Sequence, residues 1–455
     1  MTESDTLAPL RVATAPSRQD IAQLRFHPER EKLFNELHTR PFPVLETGSR
    51  VSQFAVLQDD ARTDAQADAE YRHIGQLCQR FAVVPPMSGS SCYYQDFGGF
   101  ELRWERHNEF STYTFIVRDL TAAPFTCNAL TLLPAGWLGG IPGQVIHAQH
   151  IDILTAPLEL QTADEQRRHF EGHRLISSWV GDEQARLWTS YRIHSDGFGR
   201  ILIFNRDLNP CQSGRLVRAL LEVETYRMML LTAFPLARAI APQVSDMAQQ
   251  LAFINQQINA IRGLDDERRL LQQLSTLAAR IEQMISDSNY RFSAARAYYD
   301  LVISRLKDLR EQEVGGMQTI SEFLRRRLTP AYRTCQSVSG QLDDLSQRID
   351  RASELLRTRV NLTLEAQNQD LLQSMNKRSK LQLQLQQAVE GLSVAAISYY
   401  MVGLVKYLGE FLKDQGWLEH PALLTGIAVP CSIAVVWWGL RRLRKRMQGP
   451  GSAQV

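Results

Sequence analysis

Nothing in the sequence marks a phosphate-, nucleotide- or ester-processing site. It has no glycine-rich phosphate loop, no Gly-x-Ser-x-Gly elbow and no dinucleotide fingerprint. Cysteine is sparse. Cys78, Cys92, Cys127, Cys211, Cys335 and Cys431 are scattered through 455 residues with no Cys-x-x-Cys pair. That excludes a zinc ribbon and a disulfide framework, and it suits a reducing compartment. A basic excess is also missing: the net charge is +2, which argues against a dedicated nucleic-acid binder. The first twenty residues contain no long apolar core, so no secretory signal is read there. The soluble bulk is therefore expected in the cytoplasm. No cofactor-binding pattern is present, and the expectation is a non-enzymatic protein.

Long apolar runs are present, and they lie at the C-terminal end. Pro421 to Leu440 carries no charged residue and, as helix, is about 30 Å long, the thickness of a bilayer's hydrocarbon core. Gly391 to Val405 is also uncharged. It reaches spanning length if Ala388 to Leu408 is helical, with Glu390 and Lys406 at the two interfaces. Lys377, Arg378 and Lys380 precede the first run, and Arg441, Arg442, Arg444, Lys445 and Arg446 follow the second. The positive-inside rule then predicts two passes through an inner membrane, with both termini cytoplasmic and the loop around Gly409 to His420 outside.

Ahead of these runs the pattern predicts an α+β protein. Residues 1–20 read as a disordered tail and 21–212 as an α/β cytoplasmic domain with a mainly antiparallel sheet. Residues 213–387 read as a helical bundle and coiled-coil stalk, 388–440 as the transmembrane hairpin, and 441–455 as a basic tail. Phe100 to His107 alternates apolar and charged residues, and Phe110 to Val117 is rich in β-branched and aromatic ones. With Asn108-Glu109 between them, they predict a hairpin. Val145 to Leu154, Leu175 to Val180, Leu187 to His194 and Gly199 to Asn205 are the other expected strands. Helices are expected over Asp59 to Arg80 and Ala163 to Gly172, and nearly everywhere beyond Ser213. Gly263, Gly315-Gly316 and Thr329-Pro330 are the expected interruptions. One helix is expected to run from near Ser337 into the first apolar span.

Two polar segments are candidate functional motifs. The first holds His27, Arg30, Asn35, Glu36, His38 and Arg40, which suit acid–base or anion-binding chemistry, or else a capping and docking role. The second is Trp104-Glu105-Arg106-His107. On a strand, Trp104 and Arg106 share one face while Glu105 and His107 share the other, where they are a potential dyad. The pairs His147/His150 and His169/His173 are the only close histidines, and neither brings a third metal ligand with it. In Gln367 to Gln387, amides interleave with leucines, which suits either a solvated helix or an oligomer seam held in register by buried amides. Asn376, Tyr399, Tyr400 and Gly403 are the candidate pore or oligomer contacts.

Longer stretches carry a family likeness: HPEREKLFNELHTRPF from His27, LRWERHNEFSTYTF from Leu102, DGFGRILIFNRDL from Asp196, LEVETYRMMLL from Leu221, RFSAARAYYDLV from Arg291, and the run from Leu356 to Tyr400. On these the chain resembles a bacterial family of uncharacterised membrane-anchored proteins defined by a domain of unknown function. The resemblance implies the membrane-anchored class and brings no assigned activity. The overall plan is also similar to that of CorA-type divalent-cation transporters, which are pentamers whose stalk helix continues as the pore-lining span. That likeness implies self-association. Those transporters carry Gly-Met-Asn at the outer pore mouth, where this chain reads Val402-Gly-Leu-Val-Lys-Tyr, and a lysine ring there would repel Mg²⁺. The expectation is a homo-oligomeric membrane protein, either a divergent channel or a scaffold on that plan. The alternative is an anchored enzyme or ligand sensor using the two polar motifs. The lipid bilayer and other copies of the chain are the expected partners.

Overall fold

The computed structural model describes residues 25–36, 43–58, 64–119, 123–155, 163–261, 263–414 and 421–447. The expected tail over residues 1–20 and residues 415–420 of the loop expected between the apolar runs lie outside the described residues, while Gly409 to Asp414, expected in that loop, are helical. The chain divides into two compact units, Met1–Ile254 with Leu274–Asp350, and Asn255–Gln273 with Arg351–Val455.

The first unit is built on one sheet of nine strands: β1 (Ser49–Leu57), β2 (Cys92–Asp96), β3 (Glu101–Arg106), β4 (Phe110–Arg118), β5 (Gln144–Leu154), β6 (Ile176–Val180), β7 (Ala185–Thr189), β8 (Gly199–Asn205) and β9 (Gln312–Glu313). Their order is β2-β3-β4-β1-β5-β8-β7-β6-β9. Every pairing is antiparallel except β5 with β8. The predicted hairpin is β3–β4. The strand predicted over Leu187 to His194 instead ends at Thr189, and Tyr191 adopts a left-handed φ of 50° that a ladder cannot continue.

The central strand β1 was not anticipated, because SRVSQFAVL puts polar side chains on a face that is nonetheless buried. All but its last residue are inaccessible. One sheet face packs Phe54, Leu102, Trp104 and Phe115 against Ile74 and Leu77 of α2 (Asp64–Phe81), which follows α1 (Arg30–Glu36). After α3 (Ala163–Phe170), the other face is covered by α4 (Pro210–Leu231).

The start of α4 is over-determined. Asn209 accepts from the Gln212 N–H, the Gln212 side chain accepts from the Asn209 N–H, and Pro210 takes a position that needs no donor. Gly214 is required there, since a Cβ would stand 1.6 Å from the Pro43 carbonyl oxygen.

α5 (Ala233–Asn259), α6 (Leu264–Asp308), α7 (Ile320–Asp414) and α8 (Pro421–Met447) complete the chain. The breaks at Gly263 and Gly315-Gly316 fall where the glycines suggest, but Pro330 does not interrupt α7. It removes one hydrogen-bond donor, while Leu324, Leu328 and Cys335 around it are buried and hold the helix against that local cost. Within the first unit, the Tyr299 and Tyr332 rings stack at 4.1 Å and Ser346 donates to Glu282 at 3.1 Å. Buried Leu274, Leu277, Ile281, Leu342, Leu345 and Ile349 step by three and four along α6 and α7.

β1 is tied to β5 by a buried ion pair, Arg50 Nη1 to Asp152 Oδ2 at 3.2 Å. The same guanidinium donates to the Ala123 carbonyl at 2.8 Å, and the Phe125 N–H donates to Asp152 at 2.8 Å. Burial pushes the Asp152 carboxyl up to about 6, while the Phe125 N–H and the Arg50 charge oppose that rise. Removing the cation would leave a carboxylate stranded in the core. Arg50→Met is therefore expected to cost about 3–5 kcal/mol of stability, read by unfolding of the detergent-solubilised chain. A loss below about 1 kcal/mol, the size of a surface pair, would contradict this account.

Candidate functional site

Strand register assembles a polar row across the sheet face beneath α4. Arg103 lies opposite Thr114, Thr114 opposite Gln53, Gln53 opposite Gln149, and Gln149 beside Gly199. These residues come from five strands, and the four with side chains are all buried. Gln53 is the centre. Its Nε2 donates to Thr114 Oγ1 at 2.9 Å, and its Oε1 accepts from Thr225 of α4 at 3.4 Å. A second row, Glu105, Thr112, Ala55 and His147, runs beside the first.

At one end of these rows Arg103, Glu105 and His107 face α4 across a cavity of about 50 Å³, room for a few waters. Arg103 donates to Glu105 at 2.9 Å. Burial alone would raise the Glu105 carboxyl. The Arg103 hydrogen bond and the charges of Arg103, Arg218 and His107 together outweigh it, and the net shift is downward. The His107 ring stacks on Phe110 at 4.5 Å. On the α4 side, Arg218 donates to Glu222 at 2.8 Å, and Arg305 of α6 bonds the other Glu222 oxygen. The hairpin tip is clamped as well: Glu109 takes Arg291 at 2.8 Å and the Tyr298 hydroxyl, both from α6.

Glu105 and His107 thus share one face, as the alternation predicts, while Trp104 and Arg106 lie on the other. Trp104 is wholly buried, edge-on to Tyr71, and the Arg106 guanidinium sits 5.3 Å over the Tyr71 ring. Of the first motif, His27 and Arg30 do not line this cavity. His27 accepts from the Glu29 N–H at 3.2 Å, and Arg30 lies 4.2 Å over the exposed Phe26 ring. Asn35 and Glu36 belong to α1, but their side chains, like His38 and Arg40, lie outside the described residues. Asn376, Tyr399, Tyr400 and Gly403 are all on α7. The two tyrosines are exposed, and nothing stands within 4 Å of where a Gly403 Cβ would be.

Gln53 and Thr114 were missed because they meet only through register, and Thr225 and Arg218 because only the packing of α4 brings them to the sheet. Arg103 did carry a signal, since it sits two residues before Glu105 on the same strand face. Neither histidine pair gathers around a metal-ligating group among the described residues. His147 lies on the α4 side. His150 lies on the other, 2.8 Å from Ser52 Oγ and stacked on Phe198 at 4.1 Å.

Burial lowers both His147 and His150 to about 4, and it raises Asp152 to about 6. Between pH 6.5 and 4 the unfolded chain therefore gains two histidine protons that the folded chain refuses, and burial lowers His73, His169 and His194 in the same direction. The folded chain gains one, at Asp152, that the unfolded chain takes up only near its ordinary carboxyl value. The balance favours unfolding as pH falls. The expected outcome is a melting temperature that drops from pH 7 to pH 5, with a smaller drop in the His147→Asn/His150→Asn double variant. An unchanged slope in that variant would contradict the assignment.

No curated protein matches the chain. The model of the family described as Protein of unknown function (DUF3422) matches residues 25–447, nearly its whole length, and the chain belongs to that family.

Proposed function

We propose that the chain is a membrane-anchored, self-associating scaffold: a large cytoplasmic body carried on α7, with α7 and α8 crossing an inner membrane as a hairpin and both termini inside. The observation that carries this reading is the surface of α7. It is the one helix long and apolar enough to span a bilayer among the described residues, and its apolar stretch is only 6% buried. α8 supplies a shorter apolar stretch, Gly426–Gly439, followed by Arg441 and Arg442.

Before the apolar stretch, Leu371, Met375 and Leu385 are also exposed, each by more than half. A seven-residue repeat passes through Leu364, Leu371, Arg378, Leu385, Leu392 and Tyr399, paired with Asn368, Met375, Gln382, Val389, Ala396 and Gly403. It continues without a shift of phase from the polar part of the helix into the apolar part. Such a repeat suits a coiled-coil seam against other copies, and Asn368 and Gln382 would fix its register at some cost in stability. The same phase puts Lys406 on the seam. That supports a sealed contact over a cation path of the CorA kind.

An enzyme centred on Glu105 gains little from the geometry. Its carboxylate is held ionised by Arg103, which makes it a weak base.

Light scattering of the detergent-solubilised protein tests the proposal. The expected mass is a multiple of the 51.8 kDa chain, falling to one copy in Leu371→Glu/Leu385→Glu. A wild-type protein that runs as a single copy, or that leaves the membrane without detergent, would overturn it.

A further inference from the structure

Within the first unit, α6 and α7 enclose an open groove of about 840 Å³. That lies inside the range of small-ligand sites, about 300–1,000 Å³, whereas the cavity beside Glu105 falls well below it. On α6 the wall holds Tyr299, Asp300 and Lys307, and on α7 it holds Arg325, Arg326 and Arg333. Asp300 and Lys307, like Arg326 and Arg333, are two turns apart and so share one face of their helix. The two walls are tied together. The Tyr299 ring stacks on Tyr332 at 4.1 Å, and its hydroxyl is 3.1 Å from Thr329 Oγ1.

The groove gathers exposed cations that the chain does not neutralise. Elsewhere in this unit Arg103, Arg227 and Arg291 each hold a glutamate. Here Arg326 pairs with Glu322 at 2.6 Å, but Lys307, Arg325 and Arg333 meet no carboxylate at ion-pair distance among the described residues. Four cations set against Asp300 and Glu322 leave two positive charges, as many as the whole chain carries. Arg327, next in the chain, does not line the groove and lies instead 4.4 Å over the Phe323 ring. Like charges gathered in a concavity repel one another and focus the field there, and a bound anion relieves that repulsion.

We propose that this groove binds a small molecule bearing a chain of phosphates, a nucleoside triphosphate or a short polyphosphate, through Lys307, Arg325, Arg326 and Arg333. The donor set selects an anion, because arginine and lysine offer hydrogen-bond donors and no acceptor. Three of the four are arginines, whose planar forks take phosphate oxygens in pairs. A phosphate brings more charge and more acceptor oxygens than a carboxylate does. Spacing selects a chain over a single group. Arg325 and Arg333 are eight residues apart, about 12 Å along the helix, so one phosphate reaches one end of the groove and linked phosphates reach both. A nucleic acid would call for a longer basic stripe, and the chain as a whole carries only +2. Binding here is independent of whether the chain spans a membrane or self-associates.

The test is thermal unfolding of the full detergent-solubilised chain with tripolyphosphate, ATP, citrate or orthophosphate. Divalent cations are left out, and sodium chloride holds the ionic strength constant, so that general screening does not differ between samples. Tripolyphosphate or ATP is expected to raise the melting temperature by about 2–4 °C and to saturate. A larger shift with ATP shows that the nucleoside is held as well. Citrate and orthophosphate at the same concentration are expected to give clearly smaller shifts. The shift should be lost in Arg325→Gln/Arg333→Gln and weakened in Lys307→Gln, which lies on the other wall and guards against a folding defect in the first. It should be kept in Arg280→Gln/Arg348→Gln, which removes the same charge at exposed positions outside the groove. The proposal is overturned if neither tripolyphosphate nor ATP gives a saturating shift, or if the shift survives in both groove variants. It is also overturned if the control variant loses the shift, or if citrate or orthophosphate produces all of it.

Discussion

The hydrogen bonds of Gln53 hold the first unit together in a way its apolar core cannot. One sheet face is an ordinary core of aromatic and aliphatic side chains around Trp104 and Phe54. The other is a row of polar groups that must be satisfied by one another once α4 removes water from them. Gln53 is placed to do this, because it sits on the central strand with Thr114 on one side, Gln149 on the other and Thr225 above. The row fixes register in two directions. A slip of one residue on any strand would present apolar side chains to the row and polar ones to the core. The capping box at Asn209 and the close approach of Gly214 to Pro43 then set where α4 begins, so that Thr225 arrives over Gln53.

A polar face of this kind leaves space, because short polar side chains and a glycine do not fill volume as Leu and Phe do. Cavities accordingly lie at both ends of the row, and both are lined by α4. At the Glu105 end the charges close on each other. Arg103 holds Glu105, Arg218 and Arg305 hold Glu222, Arg305 also holds Asp308, and the arrangement is a neutral lattice. At the His147 end Arg227 and the Tyr191 side chain hold Glu224. In the second unit the logic is different. There α7 presents leucines and glutamines at its surface between Leu362 and Leu385.

Much of this was legible from the residues. The β3–β4 hairpin announces itself by strict alternation around Asn108-Glu109, and the long α7 by its apolar spacing and lack of glycine between Gly340 and Gly391. The sharing of one face by Glu105 and His107 follows from strand geometry alone. β1 was not legible, and the reason is physical. Its serines and glutamine read as solvent-facing, yet they are buried, because their partners come from strands about 60 and 100 residues away. A polar residue buried by long-range pairing carries no local signal. Pro330 misled in the opposite sense, since its local preference is outweighed by buried neighbours in a long helix. The His27 to Arg40 segment attracted notice by its charge, but His27 and Arg30 are satisfied within a few residues of themselves.

The central claim is that Gln53 couples the sheet to α4 through a buried amide rather than merely filling space. A double-mutant cycle with Gln53→Leu and Thr225→Val measures that coupling by unfolding free energy. The account predicts an interaction of at least about 0.5 kcal/mol, the level at which contacting residues depart from additivity. Strictly additive losses, with no interaction between the two positions, would contradict it.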